Sequence, residues 1–293
     1  MSADASRSVA AASSGTALIS LPASISTGPL ELEYQWLDTA APDAPLAVFL
    51  HEGLGSVAMW KDWPRTLCAT LGMRGLVYSR PGYGRSSPRA ADEKWPVTFM
   101  HRQAREVLPA LLDALGVDAD QRSRMWLVGH SDGGSIALLY AAAFPDALAG
   151  AVVIAPHVFV EDVSVQNIAQ ARQAYTDIDM GLRARLARYH DDVDSAFWGW
   201  NDIWLDPAFR DWNIEGALGA IRCPLLAVQG FDDEYGTMAQ MDSIGHHVRH
   251  AQVVKLPGCG HSPHRDAPDA LNQHIKAFVS SPAARPAQPA QLP

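Results

Sequence analysis

The chain has 293 residues, a formal net charge of -9, and a composition in which 48% of the residues are hydrophobic and 19% are charged. This length suits one α/β domain with an insertion, and the acidic excess argues against nucleic acid or an anionic membrane as a partner. No apolar run approaches the roughly 20 residues that a membrane span needs, so we expect a soluble, cytoplasmic protein.

Both ends of the chain have the composition of tails. Residues 1–28 begin rich in Ala and Ser, and their only apolar stretch, Ala17–Leu21, is too short for the core of a signal peptide. We expect a disordered or partly ordered tail there, and a disordered tail at residues 281–293, which are rich in Pro and Ala.

Between the tails, segments typical of strands and helices alternate. Residues 30–36 alternate apolar and polar side chains, which predicts a half-exposed antiparallel strand. Short apolar runs, as expected for parallel strands covered on both faces, occur at 46–50, 75–78, 125–128, 151–154 and 225–228, and a further strand is predicted at 252–256. Helices are predicted at 60–71, 100–115, 134–144, 236–244 and 269–279. This alternation predicts an α/β fold with a mostly parallel, doubly wound sheet.

An insertion interrupts this alternation. The strands that end at Ile154 and begin at Leu225 are separated by roughly 70 residues, several times what a crossover helix needs. Residues 157–217 are therefore predicted to form a helical cap after the sixth strand, over the carboxyl ends of the strands. The core domain would then consist of residues 29–156 and 218–280.

Ser131 has the sequence surroundings of a nucleophile elbow. It lies within Gly129-His130-Ser131-Asp132-Gly133-Gly134, after an apolar run and before a segment of helical composition. A serine on a tight strand-to-helix turn needs small residues two positions to either side, and Gly129 and Gly133 meet that need. The alternative is an ordinary glycine-rich turn.

A serine nucleophile requires a histidine as base and an acid to orient it. Asp232 and Asp233 follow the strand at 225–228, and His261 follows the strand at 252–256. Ligands bind at this edge of open α/β sheets, and the order serine, acid, histidine is that of α/β hydrolases. The spacing leaves both aspartates open as the acid.

With these motifs in place, the chain resembles a capped serine hydrolase of the α/β-hydrolase fold over about residues 30–280. The resemblance rests on four segments: His-Glu-Gly-Leu-Gly-Ser at 51–56, Arg-Pro-Gly-Tyr-Gly-Arg-Ser at 80–86, the elbow, and Gly-Cys-Gly-His at 258–261. In the family, the acid stands three residues after a glycine, which implies Asp233 rather than Asp232. The resemblance implies no cofactor.

An oxyanion hole needs two backbone N–H groups. Asp132, which follows the proposed nucleophile, is expected to supply one. The resemblance implies that Gly53 supplies the other, with Leu54 as the alternative. Glu52 stands where the family commonly has glycine, and it is expected either to point away from the site or to contact a cap arginine or a cationic substrate group.

Substrate contacts are expected from residues beside the elbow and in the cap, which are Leu54, His130, His157, Trp200 and Trp204. The cap aromatic residues have a second interpretation, which is packing at the seam between cap and core. The loop at 80–86 lacks the spacing of a phosphate-binding loop, so a structural turn is favoured there.

No metal site is expected. The three cysteines, Cys68, Cys223 and Cys259, form no C-x-x-C pair, and they are typical of reduced thiols in a cytosol. His246, His247 and His250 have no accompanying H-E-x-x-H motif or cysteine ligand.

The predicted activity is cleavage of a small carboxylic ester through an acyl-enzyme, with the ester implied by resemblance alone. A carbon-carbon bond hydrolase of aromatic degradation, a lactonase or amidase, and a ligand-binding protein without turnover remain alternatives. The chain lacks the His-Gly-x-Gly-Pro-Gly loop common in the carbon-carbon hydrolases. The sequence carries no signal for an oligomeric state.

Overall fold

A computed structural model describes residues 15–25 and 28–281. Within these residues, an eight-stranded sheet has the order β1-β2-β4-β3-β5-β6-β7-β8. The strands are β1 Ala17–Leu21, β2 Leu30–Leu37, β3 Leu46–Leu50, β4 Arg74–Tyr78, β5 Trp126–His130, β6 Gly150–Ile154, β7 Leu225–Gly230 and β8 Gln252–Leu256. Strands β3 to β8 run parallel, and β1 and β2 run antiparallel to their neighbours. The predicted mostly parallel α/β sheet is confirmed.

The central strands are apolar because helices cover both of their faces. Every residue of β3, β5, β6 and β7 is buried. Successive side chains point to opposite faces, so Val48 and Leu50 belong to one core cluster while Ala47 and Phe49 belong to the other. The edge strand β8 is only partly buried, and its sequence is correspondingly more polar.

Residues 17–21, within the segment predicted to be disordered or partly ordered, form β1 at the edge of the sheet. Ala17 pairs with Tyr34 and Leu21 with Leu30 in an antiparallel register. The strand is mostly apolar but only partly buried, and it pairs with β2 alone among the described strands. Of the tails predicted at residues 1–28 and 281–293, residues 1–14, 26–27 and 282–293 lie outside the described residues.

The helices follow the predicted alternation, and their bounds are α1 Trp63–Leu71, α2 Phe99–Arg102, α3 Leu108–Ala114, α4 Ala119–Ser123, α5 Asp132–Ala143, α6 Asp162–Thr176, α7 Leu182–Leu186, α8 Val193–Trp204, α9 Glu215–Leu218, α10 Met238–His247, α11 Pro263–Asp266 and α12 Pro268–Val279. The helix predicted at 100–115 is divided, because a π-helical turn at Gln103–Val107 separates α2 from α3. Helices α1 and α12 pack on one face of the sheet, and α3, α5 and α10 pack on the other.

The segment between β6 and β7 is helical and includes α6 to α9. We refer to residues 157–217 as the insert. Its aromatic residues mainly pack against one another: the rings of Tyr175 and Phe197 stack with centroids 3.6 Å apart, and Trp204 meets Phe209 edge-on at 5.1 Å. Packing is therefore the observed role for most of the cluster, while Trp204 also bonds to Asp132 beside Ser131 and Trp200 packs against Gly53.

Candidate active site

Ser131 occupies a strained turn between β5 and α5. Its backbone angles are φ 53° and ψ -121°, a conformation that side-chain-bearing residues seldom adopt. The strain is held by the sheet, because the Ser131 N–H donates to the carbonyl oxygen of Ile154 in β6 at 2.8 Å. This geometry lifts the serine to the carboxyl edge of the strands and exposes only 6% of the residue.

Two glycines make the turn possible. A Cβ atom on Gly129 would lie 2.2 Å from the Gly133 carbonyl oxygen, and one on Gly133 would lie 2.0 Å from the Leu50 carbonyl oxygen. Real side chains do not approach backbone that closely, so the chain can cross β3 here only with glycine. The two glycines are those for which the sequence predicted this need.

Asp233 and His261 meet at the same edge of the sheet. Asp233 follows β7, His261 follows β8, and Asp233 Oδ1 lies 2.8 Å from His261 Nδ1. The same oxygen accepts the backbone N–H groups of Tyr235 and Gly236 at 2.8 and 3.2 Å, which fixes the carboxylate. Asp232 is exposed instead. Of the two aspartates that the spacing left open, the structure brings Asp233 to the histidine.

The pair also sets the charge of the site. Burial by itself lowers the pKa of His261, but the hydrogen bond and charge of Asp233, with smaller contributions from Glu234 and Glu52, raise it above the ordinary value. Burial works against ionisation of Asp233, yet its hydrogen bond to His261 keeps its pKa below the ordinary value. Because Nδ1 donates to Asp233, the Nε2 atom of neutral His261 is an acceptor.

His261 lies beside the elbow. Its ring centroid is 5.0 Å from that of His130, the residue before Ser131, and its carbonyl oxygen is 2.7 Å from His130 Nε2. The ring of Tyr235 packs on its other side at 4.9 Å. Sequence reasoning missed Tyr235, although its position two residues after Asp233 places it in the acid loop.

The two predicted oxyanion donors lie in the segments that follow the neighbouring strands β3 and β5. Asp132 is the first residue of α5, where a backbone N–H has no partner inside the helix. Gly53 lies in the loop after β3, and a Cβ atom there would stand 2.2 Å from Nε1 of Trp200 in the insert. Only glycine therefore fits between this loop and the indole of α8.

Arg80 fixes the loop after β3 through hydrogen bonds to His51 and Glu52. Its guanidinium is 1% exposed, and Nη2 donates to the Glu52 carbonyl oxygen at 2.8 Å. The Arg80 backbone N–H donates to Nε2 of His51 at 2.9 Å, and His51 Nδ1 donates in turn to the Glu52 carbonyl oxygen at 2.7 Å. Burial, aided by the Arg80 charge, keeps the pKa of His51 well below the ordinary value, so the ring stays neutral.

The side chain of Asp132 links Arg80 to the insert. Its Oδ2 atom lies 3.8 Å from Arg80 Nη2, and its Oδ1 atom accepts from Trp204 Nε1 at 3.2 Å. Burial raises the pKa of Asp132, with Arg80 and Trp204 opposing the rise. The loop at 80–86 does form a tight turn, with φ 88° at Gly82 and 58° at Gly84, but sequence reasoning missed the buried guanidinium that begins it. Its place directly after β4 was the available signal.

His157 also lies at this edge, with its ring centroid 4.9 Å from Trp204 and 6.0 Å from His261. Ser135 fixes its backbone, since Ser135 Oγ bonds to both its N–H and its carbonyl oxygen. Burial, with the charge of His261, lowers the pKa of His157 to about 3. Its Nδ1 atom is buried without a hydrogen-bond partner among the described residues.

The other residues predicted to contact the substrate are Trp200, Trp204, Leu54 and His130. Trp200 and Trp204 are buried, Trp200 against Gly53 and Trp204 against Asp132. The backbone of Leu54 is fixed by His190 of the insert, whose Nε2 donates to its carbonyl oxygen at 2.9 Å. His130 is buried against the loop of His261.

Glu52 reaches toward the loop of His261. Its Oε1 atom lies 3.2 Å from Nη2 of Arg265, and its Oε2 atom lies 3.6 Å from Nδ1 of His130. The arginine belongs to α11, so the expectation of an arginine from the cap is wrong for the described contacts. Sequence reasoning could not have found this partner, because 213 residues separate it from Glu52.

Within the described ranges, no group of three or more His, Cys, Asp and Glu side chains is arranged to hold a metal ion. His250 bonds through Nε2 to the Cys223 carbonyl oxygen, and His247 bonds through Nδ1 to that of Ser243. Cys68, Cys223 and Cys259 are buried free thiols. None of the helices in the described part of the chain is both long and apolar enough to cross a membrane.

A mostly parallel sheet with a strand, a strained serine and a helix in succession defines the α/β-hydrolase fold. A profile described as the alpha/beta hydrolase family matches residues 47–274, and the chain belongs to that family. The bifunctional esterase/perhydrolase DCH of Acinetobacter calcoaceticus is 25% identical over 279 residues, which cover 83% of this chain and 95% of that protein.

Two further similarities bear on the fold and the function. The 2-hydroxy-6-oxo-6-phenylhexa-2,4-dienoate hydrolase of Burkholderia cepacia is 23% identical, covering 80% of this chain and 87% of its own length. A crystal structure from a study of carboxylesterases of Nitrososphaera gargenis superposes with a TM-score of 0.70 at 18% identity, covering 90% of this chain and 98% of that one. At that identity, the structural likeness concerns the fold alone.

Proposed function

We propose that this protein is a serine hydrolase that cleaves a small-molecule carboxylic ester through an acyl-enzyme. Ser131 is the nucleophile, His261 the base and Asp233 the residue that orients it. The N–H groups of Gly53 and Asp132 form the oxyanion hole. The observation that carries the proposal is the 2.8 Å bond between Asp233 and His261 at the edge where the strained elbow presents Ser131.

The reaction follows from the tautomer. With its Nδ1 proton bonded to Asp233, His261 offers Nε2 to take the proton from Ser131 Oγ as that oxygen attacks the ester carbonyl. The developing oxyanion accepts the N–H groups of Gly53 and Asp132, and His261 then returns the proton to the leaving alcohol. Water, activated by the same histidine, releases the acid and restores the serine.

Contacts to the substrate are proposed for the side chains that lie near Gly53, Asp132 and His261. Trp200 packs over Gly53, and His157 carries an unpartnered nitrogen beside His261, so these two are the strongest candidates. Trp204 bonds to Asp132 and shapes the same wall, while Leu54 lies next to the oxyanion donor. His130 contacts the carbonyl oxygen of His261 instead.

The relationship to the dienoate hydrolase favours one alternative, a carbon-carbon bond hydrolase acting on a ring-cleavage product. The same serine, histidine and donors could serve that reaction, so the substrate distinguishes the two. Aryl esters of increasing acyl length, tested beside a meta-cleavage dienoate, provide the comparison. Turnover of the dienoate alone would replace the ester proposal.

Labelling by a fluorophosphonate tests the nucleophile directly. Wild-type protein and a Ser123→Ala variant, altered on α4, should both be labelled, and Ser131→Ala should not. Esterase activity should be lost in the same variant. A folded wild type that is neither labelled nor active would reject catalysis and favour a ligand-binding role.

A further inference from the structure

Glu52 lies in the loop after β3, which also carries Gly53, and it connects this loop to two segments that follow much later in the chain. One carboxylate oxygen faces Arg265 of α11 at 3.2 Å, and the other faces His130, at the end of β5, at 3.6 Å. The side chain is only 15% exposed. A carboxylate with so little access to water is expected to be paired, and both of its oxygens face cations or potential cations.

The protonation of His130 follows from its two neighbours. Its Nε2 atom lies 2.7 Å from the carbonyl oxygen of His261, and because a carbonyl oxygen only accepts, Nε2 must carry a proton. Its Nδ1 atom is buried, has no hydrogen-bond partner among the described residues, and faces Glu52. A bare nitrogen would direct its lone pair at a carboxylate, whereas a protonated one forms an ion pair. The carbonyl oxygen requires only the Nε2 proton, whereas Glu52 offers an acceptor for a second proton on Nδ1.

We propose that Glu52 and His130 form a second acid–histidine pair, whose task is to position His261. The imidazolium of His130 donates to the backbone of His261, and Glu52 balances its charge while Arg265 ties the same carboxylate to α11. The pair thereby sets the distance between Gly53 and His261. Glu52 and His130 are positioning residues, and their role rests on the proposed function of His261.

The electrostatics of the surroundings support an ionised Glu52. Burial would raise its pKa, but the neighbouring His130, together with the charge of Arg265, holds the pKa well below its usual range. The nearest other ring, that of His264, lies 4.8 Å from His130. Burial lowers the pKa of His264 to about 2, so this ring remains neutral at ordinary pH.

The pair also influences the base through its charges. The titratable and charged groups around the two histidines are Glu52, Asp132, His157, Asp233, Glu234, His264 and Arg265. Removing the negative charge of Glu52 lowers the pKa of His261, whereas removing the positive charge of His130 raises it. The two substitutions should therefore move the acid limb of the pH–activity curve in opposite directions.

Nitrogen NMR of the imidazole side chains tests the protonation without any substrate. In wild type near neutral pH, both ring nitrogens of His130 should be protonated, with the resonance assigned by its absence in His130→Gln. In Glu52→Gln, the same ring should become singly protonated on Nε2. A neutral His130 in wild type would overturn the proposal, whatever reaction the protein catalyses.

Steady-state ester hydrolysis tests the positioning. Glu52→Gln and His130→Gln should each lower kcat by about ten- to a hundredfold, with KM changed by less than about twofold. The acid limb should move to lower pH in Glu52→Gln and to higher pH in His130→Gln. Glu106→Gln, which removes an acid paired with Arg102 on an exposed surface, should match wild type.

The two proposals fail in different ways. Absence of fluorophosphonate labelling in wild type would reject the proposed hydrolase and leave the NMR result standing. Normal labelling with an unchanged kcat in Glu52→Gln would reject the positioning role alone. If Glu52→Gln does not fold, His130→Gln decides the kinetic test, because its amide can still donate to His261 without carrying a charge, and an unchanged kcat there would reject the role.

Discussion

The sheet edge and the insert contribute to the same site by different physical means. The edge depends on backbone contacts that leave no room for a side chain, as at Gly133, whose Cβ would stand 2.0 Å from a carbonyl oxygen. The insert depends on side chains, such as Trp204 reaching Asp132 and Trp200 covering Gly53. The edge therefore sets the chemistry and tolerates little change, whereas the insert can vary and is where we expect substrate preference to be determined.

The same contrast separates two histidines whose rings lie 6.0 Å apart. His261, at the edge, is paired with Asp233, and its pKa is raised above the ordinary value. His157, in the insert, has an Nδ1 atom without a hydrogen-bond partner among the described residues, and burial lowers its pKa to about 3. The same residue type thus has a raised pKa at the edge and a lowered pKa in the insert.

The largest effect should come from the acid at the edge. Asp233→Asn should lower kcat by about 10³- to 10⁴-fold, because the amide no longer selects the tautomer of His261 that can accept the serine proton. Fluorophosphonate labelling should slow in parallel, while far-ultraviolet circular dichroism stays unchanged. Asp232→Asn, beside it in the loop, is the matched control, and equal losses in both variants would contradict the assignment.

The backbone of the edge should be nearly as intolerant as its chemistry. Gly133→Ala should destabilise the fold by about 3 kcal/mol or more, since the methyl group would overlap the Leu50 carbonyl oxygen. Gly216→Ala in α9 is the comparison, because nothing lies within 4 Å of a Cβ there. Urea denaturation of both variants measures the difference, and similar stabilities would refute the close approach.

A smaller effect is expected where the insert meets the edge. Trp204→Phe removes the indole donor to Asp132 and leaves that buried carboxylate with one polar partner fewer, at a cost of about 1–3 kcal/mol. Hydrogen exchange should quicken in α8, with little change in β5. Trp198→Phe, on the same helix, should leave exchange near the elbow unchanged, and identical patterns in the two variants would show that the bond contributes nothing.

A further effect concerns stability in acid. The pKa of His157 is about 3 in the folded protein, below its ordinary unfolded value, so the unfolded state binds the proton first as pH falls. Each pH unit between about 6.5 and 3 should cost at most about 1.4 kcal/mol from this residue. His157→Gln should therefore lose less stability between neutral pH and pH of about 5 than wild type does. Parallel loss in both proteins would mean that the ring takes up its proton when folded.

The activity should respond to pH through the other histidine. His261 must be neutral to act as the base, and its pKa is raised, so kcat/KM should fall as pH drops through a midpoint above the ordinary histidine value of about 6.5. A pH series with an activated ester measures that midpoint. A value below 6.5 would imply that Asp233 does not hold the ring in the working enzyme.

Much of the fold was predictable because burial on both faces makes a strand continuously apolar. That signal located β3, β5, β6 and β7, and strict glycine positions located the elbow. The run that forms β1 is apolar too, but it is short, and its place at the edge of the sheet depends on its partner β2. In the sequence, only the resemblance favours Asp233 over Asp232, whereas in the structure Asp233 lies 2.8 Å from His261.

The sequence by itself determined the order of the strands' apolar runs, the elbow at Ser131, and the loops that carry Asp233 and His261, because each depends on neighbours within a few residues. Only the tertiary structure decided that Arg80 pairs with Asp132 and that Glu52 faces both His130 and Arg265. Charges separated by dozens to hundreds of residues leave no local pattern. Their meeting is settled by how parallel strands bring the ends of distant loops to one edge.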